Sequence, residues 1–110
     1  MARKTLTPAM MALVAERLRA LAEPARLQIL QQLRSGERTV TELVQATGLG
    51  QANVSKHLQL LLAAGFVGRR KEGLYTYYRL ADEDVFRICD LMCGRLQAET
   101  KRQRRLLARG

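Results

Sequence analysis

A mainly α-helical domain carrying one two-stranded β-hairpin is what three features of the sequence predict. Apolar residues recur at three- and four-residue spacing over most of the chain. That period gives way to short β-branched and aromatic runs only between Phe66 and Leu80. Prolines and glycines fall at the junctions, at Pro8, Pro24, Gly36, Gly48, Gly65 and Gly73. With 110 residues and 47% hydrophobic content, the chain fits one domain around one modest core.

Residues 1 to 7 read as an irregular arm. From Pro8 to about Ala22, Met10, Met11, Val14, Leu18 and Leu21 form one stripe of an amphipathic helix. Pro24 sits where a helix readily begins, because the first turn has no use for its missing N–H. Ala25 to Leu33 follows, with Leu27, Ile29, Leu30 and Leu33 covering much of its circumference, the pattern of a central helix. Ser35-Gly36 ends it. Thr39-Val40-Thr41-Glu42 has capping-box spacing and opens a short helix from about Val40 to Thr47, closed by Gly48. A further helix runs from Gln51 to about Ala64 and stops at Gly65. Phe66 to Lys71 and Leu74 to Leu80 then read as two strands joined at Glu72-Gly73. Asp82, Glu83 and Asp84 are expected in the first turn of a last helix, where the helix dipole favours acids. Val85, Ile88, Cys89, Met92 and Leu96 line one face of that helix, which is expected to end near Glu99. The division is therefore one domain over residues 1–100 and a basic C-terminal tail over residues 101–110.

Two short helices joined by a glycine turn, the second polar at its start, form the arrangement that places a helix in the major groove of DNA. Winding residues 51–64 at about 100° per residue puts Val54, Leu58, Leu61 and Leu62 on one face. Gln51, Ala52, Asn53, Lys56 and Gln59 project away from it, and Ser55 and His57 lie on the flanks; all seven are candidate DNA contacts, with His57 placed for a phosphate contact or a hydrogen bond toward the core. Asn and Gln can bond an adenine edge in pairs, Lys can reach guanine or phosphate, and Ala52 can meet a thymine methyl. Arg69 and Lys71 share one face of the first strand, with Arg70 and Arg79 nearby. A basic hairpin of this kind can lie along a groove or backbone and fix register. Tyr75, Tyr77 and Tyr78 suit packing better than base stacking, and aromatics are few. Together these elements describe a winged helix-turn-helix.

The net charge of +9 is unevenly spread. Five positive charges lie in the last ten residues, at Lys101, Arg102, Arg104, Arg105 and Arg109, and two more at Arg3 and Lys4. A basic tail attracts any polyanion, so the charge alone does not establish specific DNA binding.

The run Leu21-Ala22-Glu23-Pro24-Ala25-Arg26-Leu27-Gln28-Ile29-Leu30 resembles the opening signature of the ArsR/SmtB family of winged-helix repressors. Gln51 to Leu58 resembles that family's recognition helix, and Gly73 to Leu80 its wing. The likeness extends over roughly residues 13 to 97. It implies a homodimer whose first and last helices pair across a two-fold axis, bound to double-stranded operator DNA and released when a sensor site is filled. The apolar stripes on the first and last helices independently offer surface for dimerisation.

Departures from the family narrow the sensor. Metal sensors of the family often carry a Cys-Val-Cys-type site in the first helix of the helix-turn-helix, whereas Glu42 to Ala46 contains no thiol. Others use Asp and His on the last helix, where this chain has Asp84 and Asp90 but no histidine, so a hard or borderline cation is disfavoured. Cys89 and Cys93 remain, one helical turn apart. Such thiolates can hold a soft centre, such as trivalent arsenic, cadmium or mercury, or be oxidised by a persulfide or peroxide. A direct disulfide would strain the helix, because Cα atoms four apart stand about 6 Å from each other with nearly parallel Cβ vectors. The competing reading makes both cysteines small packing residues at a dimer interface.

No nucleophile–base pair, carboxylate cleft, phosphate-binding glycine loop or metal-ligand cluster points to an enzyme, a required cofactor or a small-molecule substrate. No apolar run is long enough to span a membrane and no signal-peptide pattern is seen, so a cytoplasmic protein with reduced thiols is expected. A nonspecific nucleoid or RNA-binding protein using the tail is the remaining alternative.

Overall fold

The computed structural model describes residues 5–109, and the first four residues of the expected arm lie outside the described ones. Five helices and three strands follow in the order α1 (Pro8–Leu21), α2 (Pro24–Leu33), β1 (Arg38–Thr39), α3 (Val40–Thr47), α4 (Gln51–Ala63), β2 (Val67–Glu72), β3 (Tyr75–Leu80) and α5 (Val85–Arg109). The first helix starts have local causes. Thr7 Oγ1 accepts the Met10 N–H at 3.1 Å, and Pro8 occupies the first turn of α1. Glu23 caps α2 in the same way, ahead of Pro24.

Helix α3 opens on a complete capping box. Thr39 Oγ1 accepts the Glu42 N–H at 3.2 Å, and Glu42 Oε1 accepts the Thr39 N–H at 3.0 Å. The Thr39 backbone N–H first, and the Thr39 hydroxyl second, hold the Glu42 carboxyl below the usual carboxylate range. Gly48 ends α3 with φ 75°, a left-handed conformation that glycine adopts without a Cβ penalty.

One core joins the pieces. Ile29, Leu30 and Leu33 of α2, Leu43 of α3 and Val54, Leu58 and Leu61 of α4 pack with Leu21, Phe66, Val67, Tyr78 and Val85. Leu27, expected among the central residues of α2, is instead part-exposed and lies outside this cluster. The sheet has the order β1-β3-β2, antiparallel throughout, so the wing is three-stranded at its base, not two-stranded. Arg38 and Thr39 pair with Tyr78 and Tyr77. Two residues are too short to show a strand alternation, and Thr39 is extended because it is also the cap of α3.

Two expectations about α5 need correction. Asp82, Glu83 and Asp84 form the turn before it, not its first turn. Asp82 Oδ1 takes the Asp84 N–H at 2.9 Å, and the Glu83 and Asp84 carbonyls accept the first helical N–H groups. At the other end α5 does not stop near Glu99 but continues to Arg109, a run of 25 residues. The stretch from Thr100 onward contains no proline or glycine before Gly110 and is built mostly from Lys, Arg, Gln, Leu and Ala, all strong helix formers. Bases near a helix C-terminus also oppose its dipole favourably.

Candidate nucleic-acid interface

Helix α4 divides cleanly into two faces. Val54, Leu58 and Leu61 are fully buried, whereas Gln51, Ala52, Asn53, Lys56 and Gln59 are exposed. Ser55 and His57 are half-buried on the flanks. Leu62 packs against the core from its edge, while Leu60 stands exposed among the polar residues. The N-cap of α4 is Gly50, which offers no side chain to the first N–H groups. Those groups and the positive end of the helix dipole remain available to an anion such as a phosphate.

The wing sorts its cations by strand alternation. Arg69 and Lys71 lie opposite Tyr78 and Thr76, on the face that continues from buried Val67. Both are exposed, and a shallow groove of about 370 Å³ runs between Arg69, Arg70, Lys71, Thr76 and Tyr78. Arg70 points the other way and is committed within the protein. Its Nη1 donates to Glu72 Oε2 and its Nε to Glu37 Oε2, each at 2.7 Å, while its guanidinium covers the Tyr77 ring at 4.7 Å. The Glu72 carboxylate, then that of Glu37, holds the Arg70 guanidinium even more firmly protonated than usual. Arg70 thus fastens the wing to the loop before β1 and supplies little free charge. Arg79 lies over Gly68, where an added Cβ would stand 2.8 Å from its guanidinium. Tyr78 joins the core as expected, but Tyr75 is exposed near the wing tip.

Two arginines tie this interface to α1. Arg17 donates to the Ala64 carbonyl at 3.0 Å and to Asp82 Oδ2 at 2.9 Å, with its guanidinium 4.6 Å from the Phe66 ring centre. It therefore caps the C-terminus of α4 and holds the turn leading into α5. Arg26 of α2 bonds the Ala20 and Arg19 carbonyls and reaches His57 of α4. Sequence periodicity gives no sign of either contact, because the partners of Arg17 on α4 and of Arg26 on His57 are 47 and 31 residues away.

Residues 23–68, which span α2 to the start of the wing, match the bacterial regulatory proteins of the arsR family. The homodimeric winged helix-turn-helix DNA-binding domain of a possible ArsR-family regulator from Mycobacterium bovis superimposes with a TM-score of 0.74. It is 38% identical, and the alignment covers 93% of this chain and 95% of that one. The chain belongs to the arsR family. Among curated members, the HTH-type transcriptional repressor SmtB of Mycobacterium tuberculosis is 48% identical over 73 residues, covering 66% of this chain and 54% of that protein. The probable mercury resistance operon repressor of Streptomyces lividans is 42% identical over 74 residues, covering 67% and 57%. This chain therefore spans about half the length of these two relatives.

In this arsR-family chain the two thiols stand apart from the exposed polar face of α4. Both lie on α5, with Cys89 half-buried and Cys93 exposed, and neither is in a disulfide. Cys93 opens onto an exposed strip with Leu96, Gln97, Thr100, Lys101 and Arg104. Among the described residues no group of three or more His, Cys, Asp or Glu side chains forms a metal cluster, so the fit for a metal rests on this pair. Two thiols suit a soft ion and not a hard one. No helix of the described residues is long and apolar enough to cross a membrane.

Proposed function

We propose that this protein is a homodimeric transcriptional repressor that reads double-stranded operator DNA with α4 and leaves it when Cys89 and Cys93 react. The observation that carries the DNA reading is the division of α4. Its apolar face is sealed into the core, while Asn53, Lys56 and Gln59 stand exposed on the opposite side. In this reading Gln51, Ala52, Asn53, Ser55, Lys56 and Gln59 meet base edges, His57 stands at the flank of that contact, and Arg69 and Lys71 hold phosphates.

Dimerisation is supported by surface that one chain leaves uncovered. Met10, Met11, Leu13, Val14 and Leu18 of α1 and Ile88, Leu91, Met92 and Leu96 of α5 are all exposed. The homodimeric relative from Mycobacterium bovis has the same fold. The sensing step would act on the helix that holds this surface. Two thiols, each giving up its proton, would ligate a trivalent arsenical, cadmium or mercury ion. Alternatively they would lose two protons and pass two electrons to a peroxide or persulfide as they are joined directly, or through a sulfur atom that a further persulfide donates. The likeness to a probable mercury resistance operon repressor supports the soft-metal branch. The half-burial of Cys89 near Val85 favours a second reading, in which the cysteines only pack.

The test is fluorescence anisotropy of the reduced protein on its own upstream DNA and on a scrambled duplex. Arsenite, cadmium and a persulfide donor are then titrated separately, with the Cys89→Ser/Cys93→Ser variant alongside. Selective binding released by one agent only when both cysteines are present supports the repressor and assigns its inducer class. Selective binding indifferent to all three keeps the regulator and returns the cysteines to packing. Equal affinity for both duplexes rejects the operator-reading function.

A further inference from the structure

Arg26 meets three helices at once. From α2, its Nε donates to the Ala20 carbonyl at 2.6 Å and its Nη2 to the Arg19 carbonyl at 3.0 Å, both near the end of α1. Its Nη1 faces His57 Nδ1 on α4 at 3.3 Å. A guanidinium stays protonated in proteins and offers donors only, so the ring nitrogen opposite it must be the acceptor. In a neutral imidazole the single proton then sits on Nε2. Among the described residues, Nε2 has no protein partner and is not sealed from solvent. His57 follows Lys56 on the flank of the reading face.

We propose that Arg26 is a positioning residue for DNA binding, which holds His57 as the Nε2–H tautomer so that this N–H donates to a DNA phosphate. The inference rests on the operator-reading function above and adds a donor that does not come from a cationic side chain. The planar fork of Arg26 is fixed by two carbonyls before it touches the ring, so the imidazole is oriented from the end of α1. A lysine, with a point charge on a flexible stem, could not hold three acceptors in set directions. The arrangement resembles the way a second partner fixes the tautomer of a working histidine elsewhere in protein chemistry.

His57 is the only histidine in the chain, so one set of imidazole nitrogen signals reports it without assignment. Long-range ¹H–¹⁵N correlation of the free protein, with the ring neutral, is expected to show a bare Nδ1 and a protonated Nε2. Arg26→Met, which keeps the stem and loses the donors, is expected to move the pair toward a tautomer mixture. A protonated Nδ1, or the same mixture in both proteins, overturns the assignment. Operator affinity tests the phosphate contact while the Arg26 bonds to the Ala20 and Arg19 carbonyls are kept. His57→Gln retains a donor near the Nε2 position and is expected to bind close to wild type, whereas His57→Met should bind roughly five- to tenfold more weakly. Equal binding by His57→Met overturns the phosphate contact. Loss of operator selectivity in the wild type, with Nε2–H intact, would instead reject the operator-reading function and the phosphate contact with it.

Discussion

Helix α4 seals Val54, Leu58 and Leu61 at 0% exposure, whereas α5, nearly twice as long, seals only Val85 and leaves Leu91 78% and Met92 60% exposed. Both helices are amphipathic in sequence. The first finds its apolar partner within the chain, in α2, α3 and Phe66, and so its polar face is what remains for another molecule. The second projects past the core, and its apolar face is what remains. Helix α1 behaves like α5, burying only Leu21. The helix-turn-helix is thus complete in one chain, and the terminal helices are not.

Truncation in the completed region should have the largest effect. Leu61→Ala removes a fully buried side chain from the junction of α4 and the core, and is expected to cost about 2–5 kcal/mol in urea unfolding. A cost under 1 kcal/mol would mean that α4 is less well packed than its burial indicates. The counterpart in the open region is Leu96→Glu. In one chain that residue touches little, so the helical circular dichroism should persist. In the proposed dimer it would bury a charge, and the dimer should weaken by about 2 kcal/mol or more in sedimentation equilibrium. Unchanged association would place the interface elsewhere.

Changes on the polar face of α4 should spare the fold and act on DNA. Asn53→Ala and Lys56→Ala are each expected to weaken operator binding by about 1–3 kcal/mol while the melting temperature holds. Asn53→Ala should relax sequence preference, and Lys56→Ala should also lower the salt dependence if Lys56 contacts phosphate. Operator binding that survives both changes would reject this reading face.

The sequence carried this contrast unevenly. The faces of α4 were legible because capping residues, glycines and a 100° period all agree on one short segment. The apolar stripes of α1 and α5 were equally plain, but periodicity does not say whether a stripe meets its own core or another chain. The end of α5 is not legible because a run of charge does not mark a stop: Lys and Arg continue a helix readily. Strand β1 is invisible in the sequence, since two residues hold no pattern. Arg70 reads in sequence as one more basic residue of the wing, yet Glu37, far away in sequence, pairs with it. Contacts of this kind depend on which loops the fold brings together.

Arg17 connects the two regions and offers a smaller perturbation. Arg17→Met keeps the aliphatic stem over Phe66 but removes the donors to Ala64 and Asp82. Its ion pair is part-exposed, at 49% and 32%, so the expected loss of stability is only about 1 kcal/mol. Operator affinity should fall as well, because the end of α4 is released from the helix that borders the proposed dimer surface. A stability loss with no effect on affinity would mean that the position of α4 is set by the core alone.

The smallest effect lies at the capping box of α3, and it has a pH signature. The Glu42 carboxylate accepts the Thr39 N–H, and its folded-state pKa is lowered. A lowered pKa means that the contribution is present above the unfolded value and is lost as pH falls through the folded one. The difference in melting temperature between wild type and Glu42→Ala should therefore be widest near neutral pH and should shrink on acidification below the ordinary glutamate range. Thr39→Ala should cost about 1 kcal/mol at neutral pH and retain part of that cost in acid, since the hydroxyl caps the Glu42 N–H whatever the carboxyl carries. A Glu42→Ala difference that stayed constant with pH would assign the capping box to the hydroxyl and leave the carboxylate without a share in holding α3 against the wing.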